Sequence, residues 1–343
     1  MKRAGFLIEQ IADMDNLRLA FYKAQRGKEA KNPVQAYRAN LGSNLLDLRE
    51  QLLTGNVRVG NYHLFKIYDP KERTVCAAGF SERVLHHALM NVCDPFFERQ
   101  FIYSTCANRV GKGVYFALDI AHKAMMHYRF VAKLDVRKYF DSIHHAELLK
   151  QLNRIFKDER LLSVFEQIVR SYAVTEGRGL PIGNLTSQYF ANFYLSGLDH
   201  YVKEKLQVAE YVRYMDDMLL FGDDKELLRQ QVHNVQLYAN IQLRIELKPP
   251  LLQLTSHKTA FLGYSLKGAV INLTNRSKRR FAAKYRMADK MLEDGTWNEK
   301  QYQEHILPLF AFVRHAYSKQ YRNSIIHKVE SVEGASGRPG LTA

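Results

Sequence analysis

One stretch of the sequence decides the fold, and it reads Tyr211-Val212-Arg213-Tyr214-Met215-Asp216-Asp217-Met218-Leu219-Leu220-Phe221. Apolar residues flank an Asp-Asp centre on both sides, which predicts a β-hairpin with the two acids at or beside its turn. A carboxylate among apolar residues is costly unless it is paired or binds a metal. The adjacent carboxylates also repel each other, which raises their pKa values. Because a divalent cation relieves both penalties, the hairpin is a candidate metal site.

A second acid lies in another apolar segment, Phe130-Val131-Ala132-Lys133-Leu134-Asp135-Val136. Its apolar run predicts a short buried strand over 131–136. Oxygen ligands of this kind suit Mg²⁺ or Mn²⁺ rather than Zn²⁺. If the two segments are neighbours, Asp135, Asp216 and Asp217 can hold two Mg²⁺ ions, which activate a primer 3′-OH and stabilise leaving pyrophosphate. The alternative is an ordinary hairpin turn at Asp216-Asp217 and a strand-end cap at Asp135.

The composition limits the class of protein. The chain has 343 residues, of which 46% are hydrophobic and only 8 are Pro, so it is not mostly disordered. No apolar run approaches the length of a membrane span, and the N-terminus lacks a signal-peptide core. Three cysteines without a close pair argue against a disulfide framework or a Cys-rich zinc site. We therefore expect a soluble protein of a reducing compartment, the cytoplasm, with no membrane partner.

The charge balance favours a polyanionic partner. Lys and Arg number 50 against 35 Asp and Glu, which gives a formal net charge of +15. Basic side chains placed on phosphates release counterions and add affinity for nucleic acid. The chain also has 20 Tyr and 19 Phe, whose rings can stack on bases. The alternative is that the charge serves solubility alone.

The order of predicted elements indicates an α+β fold with an antiparallel sheet in the middle. Strands are predicted as two short segments within 62–76 around a turn at Asp69-Pro70, as 131–136 and as hairpins at 211–221 and 259–273. Helices are predicted at 6–55, 81–100, 145–172, 185–206, 225–239 and 276–330, and residues 331–343 are predicted to be disordered. The absence of a GxxxxGK[ST] motif argues against a P-loop enzyme.

Several motifs in order resemble those of reverse transcriptases. Tyr214-Met215-Asp216-Asp217 resembles the YxDD box, and the segment from Leu134 to Ile143 resembles the preceding acidic motif. Segments 179–192 and 261–264 resemble the template-contacting motif and the primer grip, and segments 69–74, 82–89 and 108–113 resemble the fingers. The resemblance implies a right-hand polymerase fold: N-terminal helices and fingers at 1–130, a palm at 131–264 with a fingers-like insertion at about 145–180, a helical thumb at 265–330 and a disordered tail at 331–343.

The same resemblance implies roles for individual residues. Asp135, Asp216 and Asp217 would be catalytic and would hold two Mg²⁺ ions, for which Mn²⁺ can substitute, together with Val136. Phe140 would be the steric gate that excludes a ribose 2′-OH, or alternatively a core residue, and Lys248 would help pyrophosphate leave. Without the family, Lys71 and Arg73 would be read as solvated charges of a turn. The implied dNTP-binding set is Lys71, Arg73, Arg83, Phe140, Gln188 and Lys248. The template-binding set is Arg109, Ile182 and Gly183, and the primer grip is Phe261, Leu262, Gly263 and Tyr264.

The template-contacting motif distinguishes classes within the family. Most bacterial members, such as group II intron and retron enzymes, carry Gln-Gly and then Ser-Pro, whereas this chain has Ile182-Gly183 and Ser187-Gln188. That pattern resembles the enzymes of diversity-generating retroelements, encoded on bacterial or phage genomes. It implies error-prone copying at adenines of a template RNA into cDNA, and a partner, the small basic accessory variability-determinant protein, which forms a ring. The alternatives are a retron, group II intron or phage-defence enzyme, or a nucleic-acid-binding protein with an inactive palm.

Overall fold

The fold is built around a four-stranded antiparallel sheet. The computed structural model describes residues 3–68 and 72–334, with side chains described as far as residue 326. The strand order in the sheet is β4-β5-β3-β6. These strands are β3 (Phe130–Asp135), β4 (Glu210–Tyr214), β5 (Asp217–Gly222) and β6 (Leu251–Leu254). The two acidic segments predicted to be strands are therefore neighbours in one sheet.

Side-chain alternation gives this sheet two different faces. On β3, Ala132 and Leu134 pack into a large core with the N-terminal helices, whereas Val131 belongs to a second core. The same division holds on β5, where Leu220 packs into the first core and Leu219 into the second. Each strand is thus buried on both faces, which explains why both sequences are nearly continuous apolar runs.

Helices cover the sheet and form both ends of the molecule. The N-terminal half contains α1 (Ile8–Ile11), α2 (Met14–Gln25), α3 (Asn32–Ala39), α4 (Leu41–Thr54), α5 (Phe80–Glu98), α6 (Val114–His127), α7 (Tyr139–Ser142), α8 (His145–Ile155) and α9 (Glu159–Arg170). The C-terminal half contains α10 (Leu185–Tyr194), α11 (Ser196–His200) followed by a π-helical turn (Tyr201–Lys205), α12 (Lys225–Leu243), α13 (Asn275–Glu293), α14 (Glu299–Arg314) and α15 (Lys319–Gly334). Of the helices in the described part of the chain, none is both long and apolar enough to cross a bilayer.

Two small sheets lie outside the central one. The first is the hairpin of β1 (Tyr62–Ile67) and β2 (Arg73–Ala78), as predicted for this region; the predicted turn at Asp69-Pro70 lies outside the described residues. The second consists of β7 (Thr259–Phe261), β8 (Tyr264–Lys267) and β9 (Val270–Leu273). It adjoins α13, whose Phe281 packs with Tyr264 in the second core.

Several element predictions need correction. The helix predicted at 185–206 is divided into α10, α11 and the π-helical turn, the hairpin at 259–273 has three strands, and the C-terminal helical segment consists of three helices. The predicted disordered tail is wrong at its start, because α15 continues to Gly334; the remainder, 335–343, lies outside the described residues. Helix α6 and strand β6 were missed, and β6 forms through pairing with the distant β3. Such pairing leaves little local signal in a four-residue strand.

Candidate active site

The three acids meet at one corner of the central sheet. Asp135 is the last residue of β3, and it lies directly opposite Asp217, the first residue of β5. Asp217 also pairs with Tyr214 of β4, so that Met215 and Asp216 form the two-residue connection between these strands. Met215 has a φ of 54°, which is uncommon for a residue with a side chain. The hairpin thus presents its acids beside the end of the neighbouring strand.

Two lysines pair with the acids. Lys248 Nζ lies 2.6 Å from Asp135 Oδ1, and Lys133 Nζ lies 3.0 Å from Asp217 Oδ1. Lys133 also donates a hydrogen bond of 2.6 Å to the carbonyl of Ala260, which joins the acidic corner to β7. Lys133 and Asp217 were predicted to lie in separate strands, but no sequence pattern indicated their contact.

Their surroundings disfavour the ionised forms of Asp216 and Asp217. Burial raises the pKa of Asp217 to about 6; the Lys133 ammonium opposes this shift, and the carboxylates of Asp135 and Asp216 add to it. Burial also raises the pKa of Asp216, and Asp135 adds to that shift, while Lys248 and Arg73 oppose it. An added cation at this corner would therefore stabilise the ionised carboxylates.

A fully buried ion pair supports the hairpin from the opposite face of the sheet. Arg213 of β4 and Asp199 of α11 are both 0% exposed, and their side chains are joined at 2.5 and 2.7 Å. Arg213 also donates to both the side-chain and main-chain oxygens of Asn192 at 3.0 Å, and to the carbonyl of Met215 at 3.0 Å. The last bond holds the strained residue beside the acids. Sequence reasoning missed this network, although an arginine inside an apolar strand was a signal for it.

The donor set fits divalent cations in its chemistry. Asp217 Oδ1 is buried and has its ion pair with Lys133 but accepts no well-aligned hydrogen bond, and all candidate donors are hard oxygens. Val136 lies opposite Leu247, and the hydrogen bonds between the two segments are made by the flanking residues: the Arg137 amide donates to Glu246, and the Lys248 amide donates to Asp135. The Val136 carbonyl therefore points away from Leu247, toward the side of β3 on which β5 lies. Among the described residues, no group of three or more acidic, His or Cys side chains is gathered closely enough to hold a metal as it stands. Ions at this corner would take the places of the two lysine ammoniums.

The residues predicted to bind dNTP differ in how they are placed relative to the acidic corner. Arg73 begins β2 and is close enough to lower the pKa of Asp216. Phe140 follows β3 in α7, is half-buried and packs beside Tyr139 with ring centroids 5.9 Å apart. Lys71 lies outside the described residues. The charge of Arg73 therefore reaches the acidic corner from the β1–β2 hairpin.

Arg83, Gly183 and Gln188 line one small cavity of about 210 Å³. Asn184 fixes its wall, because its Oδ1 accepts a hydrogen bond of 3.2 Å from the amide of Ala78. The carbonyl of Ile182 accepts a bond of 2.8 Å from the amide of Cys76, so the loop before α10 is attached to β2. A residue with a Cβ at Gly183 would meet Val75 Cγ1 at 2.8 Å, which accounts for glycine there. Three predicted residues from distant segments are thus brought together.

Two sets of predicted site residues are largely engaged in contacts within the chain. Arg109, predicted to contact the template, forms a bidentate pair with Glu98 and also donates to the carbonyls of Ile102 and Thr105. Its side chain is 7% exposed and holds this loop together, and its contact with the template stays a prediction.

In the predicted primer grip, Phe261 and Tyr264 are both buried, and the Tyr264 hydroxyl donates to the carbonyl of Phe312 at 2.7 Å. Only the connecting Leu262 and Gly263 remain partly accessible, so a primer could meet this turn but not the two flanking rings.

Comparisons with known proteins identify the family. The family model described as reverse transcriptase (RNA-dependent DNA polymerase) matches residues 69–266, more than half of the chain. The chain belongs to the reverse transcriptase family. Members of that family are nucleotidyltransferases that use an RNA template, and the central sheet with its surrounding helices is the right-hand polymerase fold.

Individual relatives are distant. Protein YkfC of Escherichia coli K12 is 22% identical over 278 residues, which cover 66% of this chain and 72% of that protein. The putative COX1/OXI3 intron 2 protein of Saccharomyces cerevisiae is 23% identical over 133 residues, which cover 37% of this chain but only 16% of that protein. Among solved structures, telomerase from Candida albicans with a telomeric RNA fragment matches with a TM-score of 0.44 at 14% identity, covering 77% of this chain and 54% of that one.

Proposed function

We propose that the acidic corner is the catalytic centre of RNA-templated DNA synthesis. The observation that carries the proposal is the register that sets Asp135 opposite Asp217, with Asp216 in the adjoining turn. Asp135, Asp216, Asp217 and the Val136 carbonyl would hold two Mg²⁺ ions, with Mn²⁺ able to substitute. Bound there, such ions supply charge neutralisation and activation of a 3′-hydroxyl.

The chain's own residues have complementary tasks in this proposal. Lys248 and Lys133 keep the carboxylates paired until cations replace them. Arg73, together with Lys71, attracts the triphosphate from the fingers side. Phe140, five residues after Asp135, would exclude a 2′-hydroxyl by its bulk. Arg83 and Gln188 would contact the incoming nucleotide from the small cavity they share with Gly183.

The nucleic acid would lie over the acidic corner, between the β1–β2 hairpin and the C-terminal helices. The turn Leu262-Gly263 is proposed to hold the primer end, and the helices at 275–334 to follow the duplex as a thumb. We propose fingers at 1–130, palm at 131–264 and thumb at 265–330. The palm–thumb boundary falls within β8, directly after its first residue Tyr264, so the sheet β7–β8–β9 would act as the hinge region between the two.

We further propose that the enzyme belongs to a diversity-generating retroelement. Support comes from Ile182-Gly183 and Ser187-Gln188 in the template-contacting motif. An isoleucine cannot offer the hydrogen bonds of glutamine near the templating nucleotide, and looser positioning lowers fidelity. Its substrates would be a template RNA, a cDNA primer and dNTPs, and its partner the ring-forming accessory variability-determinant protein. Its place would be the bacterial cytoplasm.

The alternative is a retron, group II intron or phage-defence reverse transcriptase. The observation in its favour is the similarity to two yeast intron proteins, of which the chain spans only 16% and 26%. Sequencing the flanking DNA distinguishes the two classes. A template/variable repeat pair with an accessory gene supports the retroelement, whereas a structured non-coding RNA supports the alternative.

The activity itself is tested by primer extension on poly(rA)/oligo(dT) with Mg²⁺. We expect synthesis by the wild type and none by Asp216→Ala. Asp223→Asn at the far end of β5 is the matched control, because its side-chain oxygen can still accept the bond from the Arg129 amide. Synthesis that survives in Asp216→Ala would refute the catalytic assignment. Sequencing the cDNA made on a mixed-sequence RNA then tests the retroelement class: errors concentrated opposite adenine support it, and an even spectrum contradicts it.

A further inference from the structure

A second cavity lies where the chain continues beyond β3, and none of the predicted site residues lines it. It has a volume of about 790 Å³ and lies between the turn after β3, the loop after α9 and the segment after α12. We call it the basic pocket, defined by the four basic residues on its wall: Arg137, Lys138, Arg178 and Arg244. Its size is that of a site for a small ligand.

The charge of the basic pocket is only partly balanced. Two acids, Asp141 and Glu246, line it with the four basic residues. Arg137 Nε lies 3.2 Å from Glu246 Oε1, and Arg244 has a looser contact of 3.9 Å with Glu147. Within the described part of the chain, no ion pair involves Lys138 or Arg178 within 4.0 Å. Converging cations in excess over acids form a site for an anion.

A buried polar atom beside the basic pocket shows the same excess of positive charge. His144 bridges to Arg178 through the backbone, and its Nδ1 is buried without a hydrogen-bond partner. Burial lowers the pKa of His144, and the charges of Arg244 and Arg178 lower it further, with Glu147 opposing. The histidine thus lies in the positive field of the two arginines that face the pocket.

The basic pocket and the acidic corner take residues from the same two neighbouring segments, 135–137 and 246–248. Lys248 Nζ pairs with Asp135, and two residues further along each segment Arg137 pairs with Glu246. The pair on the pocket wall therefore lies two residues along each segment from the pair at the acidic corner.

We propose that the basic pocket binds a compact polyphosphate, with pyrophosphate as its ligand. The inference rests on the proposed function, since nucleotidyl transfer at the neighbouring acids releases this anion. Three segments converge on a concave site, which suits a compact anion better than an extended strand. None of the described lining residues is aromatic, so the site offers phosphate contacts without a platform for bases.

The test is a calorimetric titration of the full-length protein with sodium pyrophosphate. The variant Arg178→Gln/Arg244→Gln removes two cations from the pocket wall. The matched control Arg18→Gln/Arg229→Gln removes two exposed arginines that each pair with an acid on their own helix. We expect pyrophosphate to bind the pocket variant about tenfold more weakly than the wild type, and the control to bind unchanged. Equal weakening in both variants would overturn the proposal, because it would reflect net charge alone.

A second variant keeps the test independent of folding defects. Thr175→Glu adds a carboxylate at an exposed position of the pocket wall, and it should weaken pyrophosphate binding to a similar degree. A single-stranded RNA titration separates the competing ligand: loss of RNA binding with unchanged pyrophosphate binding would show a strand site and overturn the proposal. Neither titration needs polymerase activity, so an inactive enzyme would refute the catalytic assignment and leave the binding result standing.

Discussion

At the scale of single residues, the site depends on which face of a strand each charged side chain occupies. Asp217 lies on the same face of β5 as Leu219, which packs in the second core. Arg213 of β4 points to the helices on the other face of the sheet. The arginine is fully buried, which by itself lowers its pKa, but Asp199 more than offsets this and keeps it charged. Arg213 also donates a hydrogen bond to the Met215 carbonyl, so the buried ion pair holds the acidic turn in place.

Replacing this arginine should destabilise the protein strongly. Arg213→Met leaves Asp199 buried without its countercharge, and we expect a loss of about 3–5 kcal/mol in the free energy of unfolding. Urea denaturation measures it. Arg229→Met, which breaks an exposed pair with Glu226, is the control and should cost less than about 1 kcal/mol. A loss below about 1 kcal/mol in Arg213→Met would show that the buried ion pair makes no net contribution to the free energy of unfolding.

Fidelity should respond to one residue of the template loop. Ile182→Gln restores an amide that can hydrogen-bond near the templating nucleotide, so we expect fewer misincorporations opposite adenine. Ile182→Val keeps the position apolar and should leave the error spectrum unchanged. Sequencing of cDNA from all three enzymes measures the effect. Identical spectra for wild type and Ile182→Gln would remove this residue from the explanation of infidelity.

At the scale of elements, the sheet β7–β8–β9 links the acidic corner to the C-terminal helices. Lys133 reaches it from one side through the Ala260 carbonyl, and Tyr264 anchors it to α14 on the other. The turn between β7 and β8 packs closely: a Cβ at Gly263 would meet Phe312 Cζ and Ser277 Oγ, each at 3.0 Å. The turn therefore leaves no room for a side chain.

Gly263→Ala should loosen this junction. The residue has a φ of 88°, and the added methyl group also meets the two close neighbours, so we expect a loss of about 1–3 kcal/mol. Gly268→Ala is the control for backbone strain, because its φ is also positive, at 49°, but nothing lies within 4 Å of an added Cβ. Thermal unfolding compares them. Equal losses would show that the contact with α14 does not constrain the turn.

At the scale of the whole molecule, the net charge of +15 supplies a long-range attraction for nucleic acid. Exposed basic residues recur along α13, including Arg279 and Arg286. Their placement on one helix beside the second core suits contact with a phosphate backbone. The charge thus favours association, whereas the acidic corner decides where chemistry takes place.

Binding of a primer–template duplex should weaken steeply with salt. Between about 50 and about 200 mM salt we expect at least roughly a tenfold loss of affinity, because bound phosphates release counterions. Arg279→Gln/Arg286→Gln should reduce the slope of log affinity against log salt by about two, and Arg18→Gln/Arg229→Gln should leave it unchanged. Fluorescence anisotropy measures all three slopes. Equal slopes would exclude α13 from the duplex interface.

The sequence by itself determined the acidic hairpin, the strand that carries Asp135 and most helices, because spacing along the chain carries those signals. The polymerase fold followed from the order of its motifs. Only the tertiary structure decided the pairing of β6 with β3, the contact of Lys133 with the Ala260 carbonyl and the pairing of Lys248 with Asp135. Each of these contacts joins two residues that are far apart in the chain, and the sequence around one residue does not indicate the other. Pairing energy and burial act only after folding has brought distant segments together, so they leave little trace in any short stretch.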